Sequence, residues 1–225
     1  MNPRRLTLVT VVVAILVLAG VVVVPRLTSR GTPAAAPSGS SAASLSYDNQ
    51  PAVGATTAPV KLALFEDFLC PHCAEFSDQV WPQIKRTYID TGKAKAWFFY
   101  FPVIDQVQSR VLGGLGQCVY FQSDDAFWAL EPILMRSQQQ LFNTSKAVDI
   151  AAQYAPGLDK QKLQACVDNG EGAKAVDRDA AMAHSLGLQG TPTVLVNGHI
   201  VPDASWDSVK KAIDAALAAS TNTGS

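Results

Sequence analysis

Cys70-Pro71-His72-Cys73 is the stretch of this chain best suited to chemistry. Two cysteines in C-x-x-C spacing can close a small disulfide ring. They follow a short apolar run, Val60-Lys61-Leu62-Ala63-Leu64-Phe65, and open an apolar-periodic segment, so Cys70 is predicted at a helix N-terminus. There the unpaired backbone N–H groups and the positive end of the helix dipole favour thiolate over thiol. The thiolate is the species that exchanges disulfides. The dipole supplies only about 0.3–1 kcal/mol, whereas one pKa unit is worth about 1.4 kcal/mol. A large depression therefore needs direct N–H···S bonds and help from a charge on His72. Two blander readings stand beside this one. Cys70, His72 and Cys73 could form half of a zinc or copper site, although His184 and His199 are isolated and no second ligand cluster is visible. The pair could also be an inert structural disulfide.

The elements that would position the motif follow from periodicity. Val60–Phe65 reads as a buried strand and Pro71 suits the first position of a helix. Phe76, Val80, Ile84 and Tyr88 recur every four residues as its apolar stripe, with Pro82 expected to kink it and Thr91-Gly92 to end it. Ala94–Phe101 is a second strand, stopped by Pro102. Helices are predicted over Ser109–Gln122, Phe127–Ser137, Ser145–Tyr154, Asp159–Asp168 and Gly172–Leu186. Gly113, Gly114 and Gly116 weaken the first of these, and suit close helix packing. Thr193–Val196 and His199–Val201 form a hairpin around Asn197-Gly198, and Ser205 caps a last helix, Trp206–Ala219. The order implies an α/β fold: a mixed sheet with helices on both faces and a helical block, about 106–186, inserted midway.

The N-terminal part reads differently. Residues 1–5 form a short tail, expected to be cytoplasmic. Residues 6–24 are apolar, long enough to cross a bilayer and preceded by Arg4 and Arg5, which predicts a retained single-pass anchor. A cleaved signal peptide, with Ala34-Ala35-Ala36 as the small-residue site, is the alternative. Residues 25–46 form a linker, flexible and rich in Ala, Ser, Pro and Gly through Gly31–Ser46, and residues 221–225 a tail. Four of the 18 basic residues precede the domain, while all 19 acidic ones lie from Asp48 onward, leaving the domain at −5. That excludes a basic stripe for nucleic acid. It fits a domain held beside a membrane on the extracytoplasmic side. The four cysteines allow three pairings, and an even count in an exported chain argues for disulfides.

Gly190-Thr191-Pro192-Thr193 precedes the hairpin. With a C-x-x-C opening a helix and a helical insertion between them, the chain resembles, from roughly Pro51 to Ala219 within a domain over residues 47–220, the DsbA-type thiol-disulfide oxidoreductases of the thioredoxin-fold superfamily. Asp67, Phe127-Trp128, Gly187 and Asn197-Gly198 also fall at family-like places. The resemblance implies a thioredoxin fold whose inserted helical domain lies between the second strand and the cis-proline strand. It implies a cis Thr191–Pro192 bond beside Cys70, with the Thr191 backbone free to pair with an extended peptide. Cys70 would be the exposed attacking residue and Cys73 its buried partner. Cys118 and Cys166, both in the insertion, are expected to form a structural disulfide, the alternatives being two buried thiols or a second redox pair. No cofactor beyond the Cys70–Cys73 disulfide is expected. The implied activity is oxidation of reduced exported proteins. Reoxidation would come from a quinone-linked membrane protein of the DsbB or vitamin K epoxide reductase type. An envelope reductase of the cytochrome-maturation type and a metal-binding module are the alternatives. One departure stands out: related proteins carry a buried Glu six positions before the first cysteine, where this chain has Leu64. Its absence should leave the Cys70 thiolate less opposed. The proton acceptor for Cys73 is then open between Glu66 and water.

Overall fold

Five short strands share one mixed sheet in the computed structural model, which describes residues 45–141, 144–155 and 157–222. They are β1 (Ala52–Val53), β2 (Val60–Glu66), β3 (Ala94–Tyr100), β4 (Thr193–Val196) and β5 (His199–Ile200), in spatial order β1-β3-β2-β4-β5. β2 and β3 run parallel, with Leu64 opposite Phe98, while β4 is antiparallel to β2, with Val194 opposite Leu64. β1 was not expected; a two-residue strand has no periodicity to read, and it forms by pairing Ala52 with Trp97 and Val53 with Ala96. The β4–β5 turn has positive φ at both Asn197 (48°) and Gly198 (82°), as an Asn-Gly hairpin turn requires.

The central strand is apolar on both faces because both are covered. Leu62 and Leu64 pack with Phe76, Trp81 and Ile84 from the helical run 71–89 (α1), and with Val209 and Ile213 of the last helix. Ala63, Phe65 and Leu195 point the other way, onto Ala183 and Leu188. The insertion between β3 and β4 contains α2 (Gln108–Tyr120), α3 (Asp124–Arg136), α4 (Thr144–Tyr154), α5 (Lys160–Asp168) and α6 (Glu171–Ser185); α7 (Trp206–Asn222) closes the fold. Helix α3 begins three residues earlier than its apolar pattern, because Ser123 caps it by accepting from the Ala126 N–H at 3.1 Å.

Within α1 the expected kink at Pro82 takes the form of widened turns. Phe76–Val80 and Lys85–Ile89 have π-helical bonding around an α-helical Trp81–Ile84, and the Trp81 N–H donates to the Phe76 carbonyl five residues back. Pro82 lacks the N–H that would continue a regular ladder. The wider turns also suit a stripe that recurs every four residues rather than every 3.6.

The glycines of α2 do bring helices together. A β-carbon on Gly114 would lie 3.1 Å from the Ala173 backbone nitrogen of α6, and one on Gly116 would lie 2.9 Å from Phe68. Residues 6–24 lie outside the described residues, as does most of the linker. Among the described residues no helix is long and apolar enough to cross a membrane.

Candidate active site

The site is built where β2 ends. Its last residue, Glu66, leads into a turn held by Asp67, whose buried carboxylate accepts from the Leu69 N–H at 2.9 Å. The same side chain accepts from Val103 and Ile104, at 2.9 and 3.0 Å, on the loop after β3. The Asp67 carbonyl accepts the Cys70 N–H, so the turn delivers Cys70 as the N-cap of α1 in an extended conformation. Pro71 occupies the first turn, where its missing N–H is no loss. The Cys70 carbonyl accepts from Cys73 and Ala74, each at 3.1 Å, and from the Gln138 side-chain amide at 2.8 Å.

Across from Cys70 lies the cis Thr191–Pro192 bond. The Cys70 sulfur is 3.4 Å from the Thr191 carbonyl oxygen, which accepts from the thiol. The Thr191 hydroxyl is buried beside it without another partner, so it can donate to the thiolate. The Gly190 carbonyl accepts from the Thr193 hydroxyl at 2.6 Å, which closes the loop. A β-carbon on Gly190 would meet nothing within 4 Å, so space does not demand glycine there.

Cys70 is not the exposed residue that was expected: it is 2% accessible, and Cys73 is fully buried. Thr191 and Gln138, both more than sixty residues away in sequence, bond to Cys70 there. A groove of about 610 Å³, lined by His72, Phe76, Val80, Thr191, Pro192 and Trp206, opens beside the dithiol. The His72 ring also departs from expectation. It faces solvent at 80% exposure, 3.8 Å from Glu75, and what it offers the sulfur is its backbone N–H.

The two thiols differ sharply in acidity. Cys70 is lowered to about 5, first by the hydrogen bond from the Cys73 thiol. Burial opposes this, and bonds from Thr191 and from the Cys73 and His72 N–H groups add to it. Cys73 is pushed well above the ordinary thiol range, by burial first, then by its bond to Cys70 and the negative charge of Glu66.

A buried carboxylate therefore stands near the dithiol despite Leu64. Glu66, two residues along the same strand face, is 3% exposed, and burial followed by the charges of Glu131 and Cys70 raises its pKa well above the carboxylate range. The expectation of a less opposed thiolate holds for Cys70, which is lowered to about 5, while the charge of Glu66 acts on Cys73. Glu131, on α3 of the insertion, is equally buried and was not anticipated. It occupies the apolar stripe Phe127, Leu130, Glu131, Leu134, Met135, and a charged residue at such a position was its available signal. Gln138 lies in a polar run, Gln138-Gln139-Gln140, and carries no comparable mark.

Cys118 and Cys166 are disulfide-bonded, linking α2 to α5 with Cα atoms 5.9 Å apart. Among the described residues no three His, Cys, Asp or Glu side chains converge as metal ligands.

A family model described as thioredoxin matches residues 46–215. The probable disulfide bond formation protein D of Bacillus anthracis is 34% identical over 176 residues, covering 76% of this chain and 80% of that protein. The crystal structure of oxidised BdbD from Bacillus subtilis superposes with a TM-score of 0.72 at 26% identity, covering 80% of this chain and 99% of that one. Alpha-DsbA1 of Wolbachia pipientis, at 20% identity and a TM-score of 0.69, shares the fold over 81% of this chain and 97% of its own. The chain belongs to the thioredoxin family, and within it is a DsbA-like thiol-disulfide oxidoreductase.

Proposed function

We infer that the protein is an envelope dithiol oxidase that introduces disulfides into exported proteins through Cys70 and Cys73. The observation that carries this reading is the geometry of the dithiol: Cys70 caps α1 with its sulfur at the Thr191 carbonyl of the cis-proline loop, while Cys73 is fully buried behind it. In the first step a substrate thiolate attacks the Cys70 sulfur of the Cys70–Cys73 disulfide. The S–S electron pair leaves on Cys73, which takes up a proton and becomes a buried thiol. In the second step another substrate thiolate attacks the substrate sulfur of the mixed disulfide and releases Cys70. The products are an oxidised substrate and a protein holding one thiolate and one thiol. A Cys70 pKa of about 5 makes that thiolate a good leaving group at neutral pH, which drives the second step toward oxidised substrate.

The groove beside Thr191 and Pro192 suits an extended, partly apolar peptide, which could pair with the Thr191 backbone as an added strand. Reoxidation falls to a quinone-linked membrane protein of the DsbB or vitamin K epoxide reductase type. The apolar segment 6–24 would anchor the domain on the extracytoplasmic face, where such a partner resides. A reductase would need a less stabilised thiolate. The test is oxidation of a reduced dithiol peptide by the purified oxidised protein. Stoichiometric transfer that is lost in Cys70→Ser is expected; reduction of a disulfide peptide in preference to oxidation of the dithiol would reverse the assignment.

A further inference from the structure

The groove beside the dithiol has a charged rim that disulfide exchange does not itself require. On α1, Glu75, Gln79 and Gln83 recur every four residues and form a polar row beside the apolar Phe76 and Val80. Asp203, on the loop before α7, lines the same groove. Glu75 is 61% exposed and lies 3.8 Å from the His72 ring. Asp203 is also exposed, and its carboxylate accepts from the Ser205 N–H and from the Ser208 hydroxyl, each at 2.9 Å. Hydrogen bonds from Ser205, its side chain first, and then from Ser208 hold the Asp203 carboxyl below the usual carboxylate range, so it is ionised at neutral pH. Cations on neighbouring helices are engaged elsewhere, Arg136 with Asp78 at 3.1 Å and Lys210 with Asp214 at 2.5 Å. Among the described residues no lysine or arginine lines the groove.

We propose that Glu75 and Asp203 make this groove selective for reduced peptides that carry a lysine or arginine two positions from the reactive cysteine. The proposal rests on the dithiol oxidase reading and adds the substrate class. The attacking group is a thiolate, and both carboxylates repel it unless the peptide brings a cation with it. In the exchange the peptide sulfur bonds to Cys70, the Cys70–Cys73 bond breaks, and its electron pair goes to Cys73. The carboxylates take no part in that step.

The spacing follows from the two backbones. Glu75 stands five residues beyond Cys70, about 7.5 Å along the helix at 1.5 Å per residue. Two residues of an extended peptide cover about 6.6 Å. Side chains two apart share a face of a strand, so a residue two positions from the attacking cysteine points with it toward α1. A lysine or arginine there lays its apolar stem over Phe76 and Val80 and brings its charge to the rim. Asp203 also closes the turn before α7, and asparagine keeps an acceptor for that turn while removing the charge.

The test uses the oxidised full chain and three peptides that differ only at the positions two residues either side of a single cysteine, with Lys, Gln or Glu at both. Placing the residue on both sides covers either direction of the bound peptide. Mixed-disulfide formation is followed by mass spectrometry after acid quenching. Each rate is divided by that of the same peptide with hydroxyethyl disulfide, a small uncharged disulfide, which removes the effect of the charges on the peptide's own thiol acidity. At about 0.05 M salt the normalised rate should be about three- to tenfold higher for the Lys peptide than for the Glu peptide, with Gln between them. The ratio should approach one at 1 M salt, where the screening length is about 3 Å. It should approach one at low salt in the double variant Glu75→Gln, Asp203→Asn. A wild-type ratio near one, or a preference for the Glu peptide, would overturn the selectivity whatever the variant does. A full wild-type ratio in the folded double variant would overturn it as well. A chain that forms a mixed disulfide with none of the peptides, and leaves a dithiol peptide reduced, would instead overturn the oxidase reading.

Discussion

The side-chain amide of Gln138 donates to the Cys70 carbonyl at 2.8 Å, so the helical insertion is fastened to the turn that carries the dithiol. The bond joins residues 68 positions apart and belongs to neither thioredoxin landmark. Cys70 also meets the Thr191 carbonyl through its sulfur, and it is 2% accessible. Gln138→Ala should lower stability by about 1 kcal/mol, as for a typical hydrogen bond, and should speed alkylation of Cys70 in the reduced protein. Alkylation at the wild-type rate in a folded variant would show that Gln138 does not restrict access.

Thr191→Val removes the hydroxyl available to the Cys70 thiolate while keeping the shape of the loop. The Cys70 pKa should rise by about one unit, and the disulfide should become less oxidising by about 30 mV. Thiolate absorbance against pH measures the first effect and equilibration with a redox buffer the second. An unmoved pKa would mean that the remaining N–H donors carry the whole shift.

The acidity of Cys70 also sets a pH dependence of stability in the reduced protein. Its folded pKa, about 5, lies below the ordinary thiol range of about 8.5. A depressed folded pKa adds stability that is fully present above the unfolded value and is lost as pH falls through the folded one. The reduced form should therefore melt above the oxidised form at pH 8, with the gap shrinking as pH falls toward 5. Parallel melting curves of the two forms across that range would contradict the assignment.

Cys118–Cys166 should stabilise without exchanging. The bond closes a 48-residue separation, for which chain entropy gives about 4 kcal/mol. The double variant Cys118→Ala, Cys166→Ala should melt lower by several degrees yet keep dithiol oxidation at a temperature where it is folded. Lost oxidation in the folded variant would make this pair part of the redox path.

Much of this architecture was legible because a few residues have only one physical use. Pro71 after Cys70 marks a helix start, Asn197-Gly198 marks a hairpin, and Thr191-Pro192 marks a loop ahead of a strand; all three lie where the sequence puts them. Glu131 could have been noticed, since an acid inside Phe127, Leu130, Leu134 and Met135 must be buried with them. What it faces could not, because Glu66 reaches it only through the packing of α3 against the start of α1. The burial of Cys70 was illegible for the same reason. Gln138 and Thr191 bond to it from distant parts of the chain, and neither residue's type announces a cysteine beside it. Strand β1 and the π turns of α1 arise from pairing and from Pro82, and leave no periodic trace.

The reduction potential of the Cys70–Cys73 couple as a function of pH tests the central claim most directly. With Cys70 ionised above about pH 5 and Cys73 still protonated, reduction takes up one proton for two electrons. The potential should then fall by about 30 mV per pH unit through neutrality and about twice as steeply below pH 5. At pH 7 it should lie in the oxidising range of about −120 to −180 mV. A value near the thioredoxin level of about −270 mV, with the steeper slope persisting through neutrality, would contradict a stabilised Cys70 thiolate and the oxidase assignment built on it.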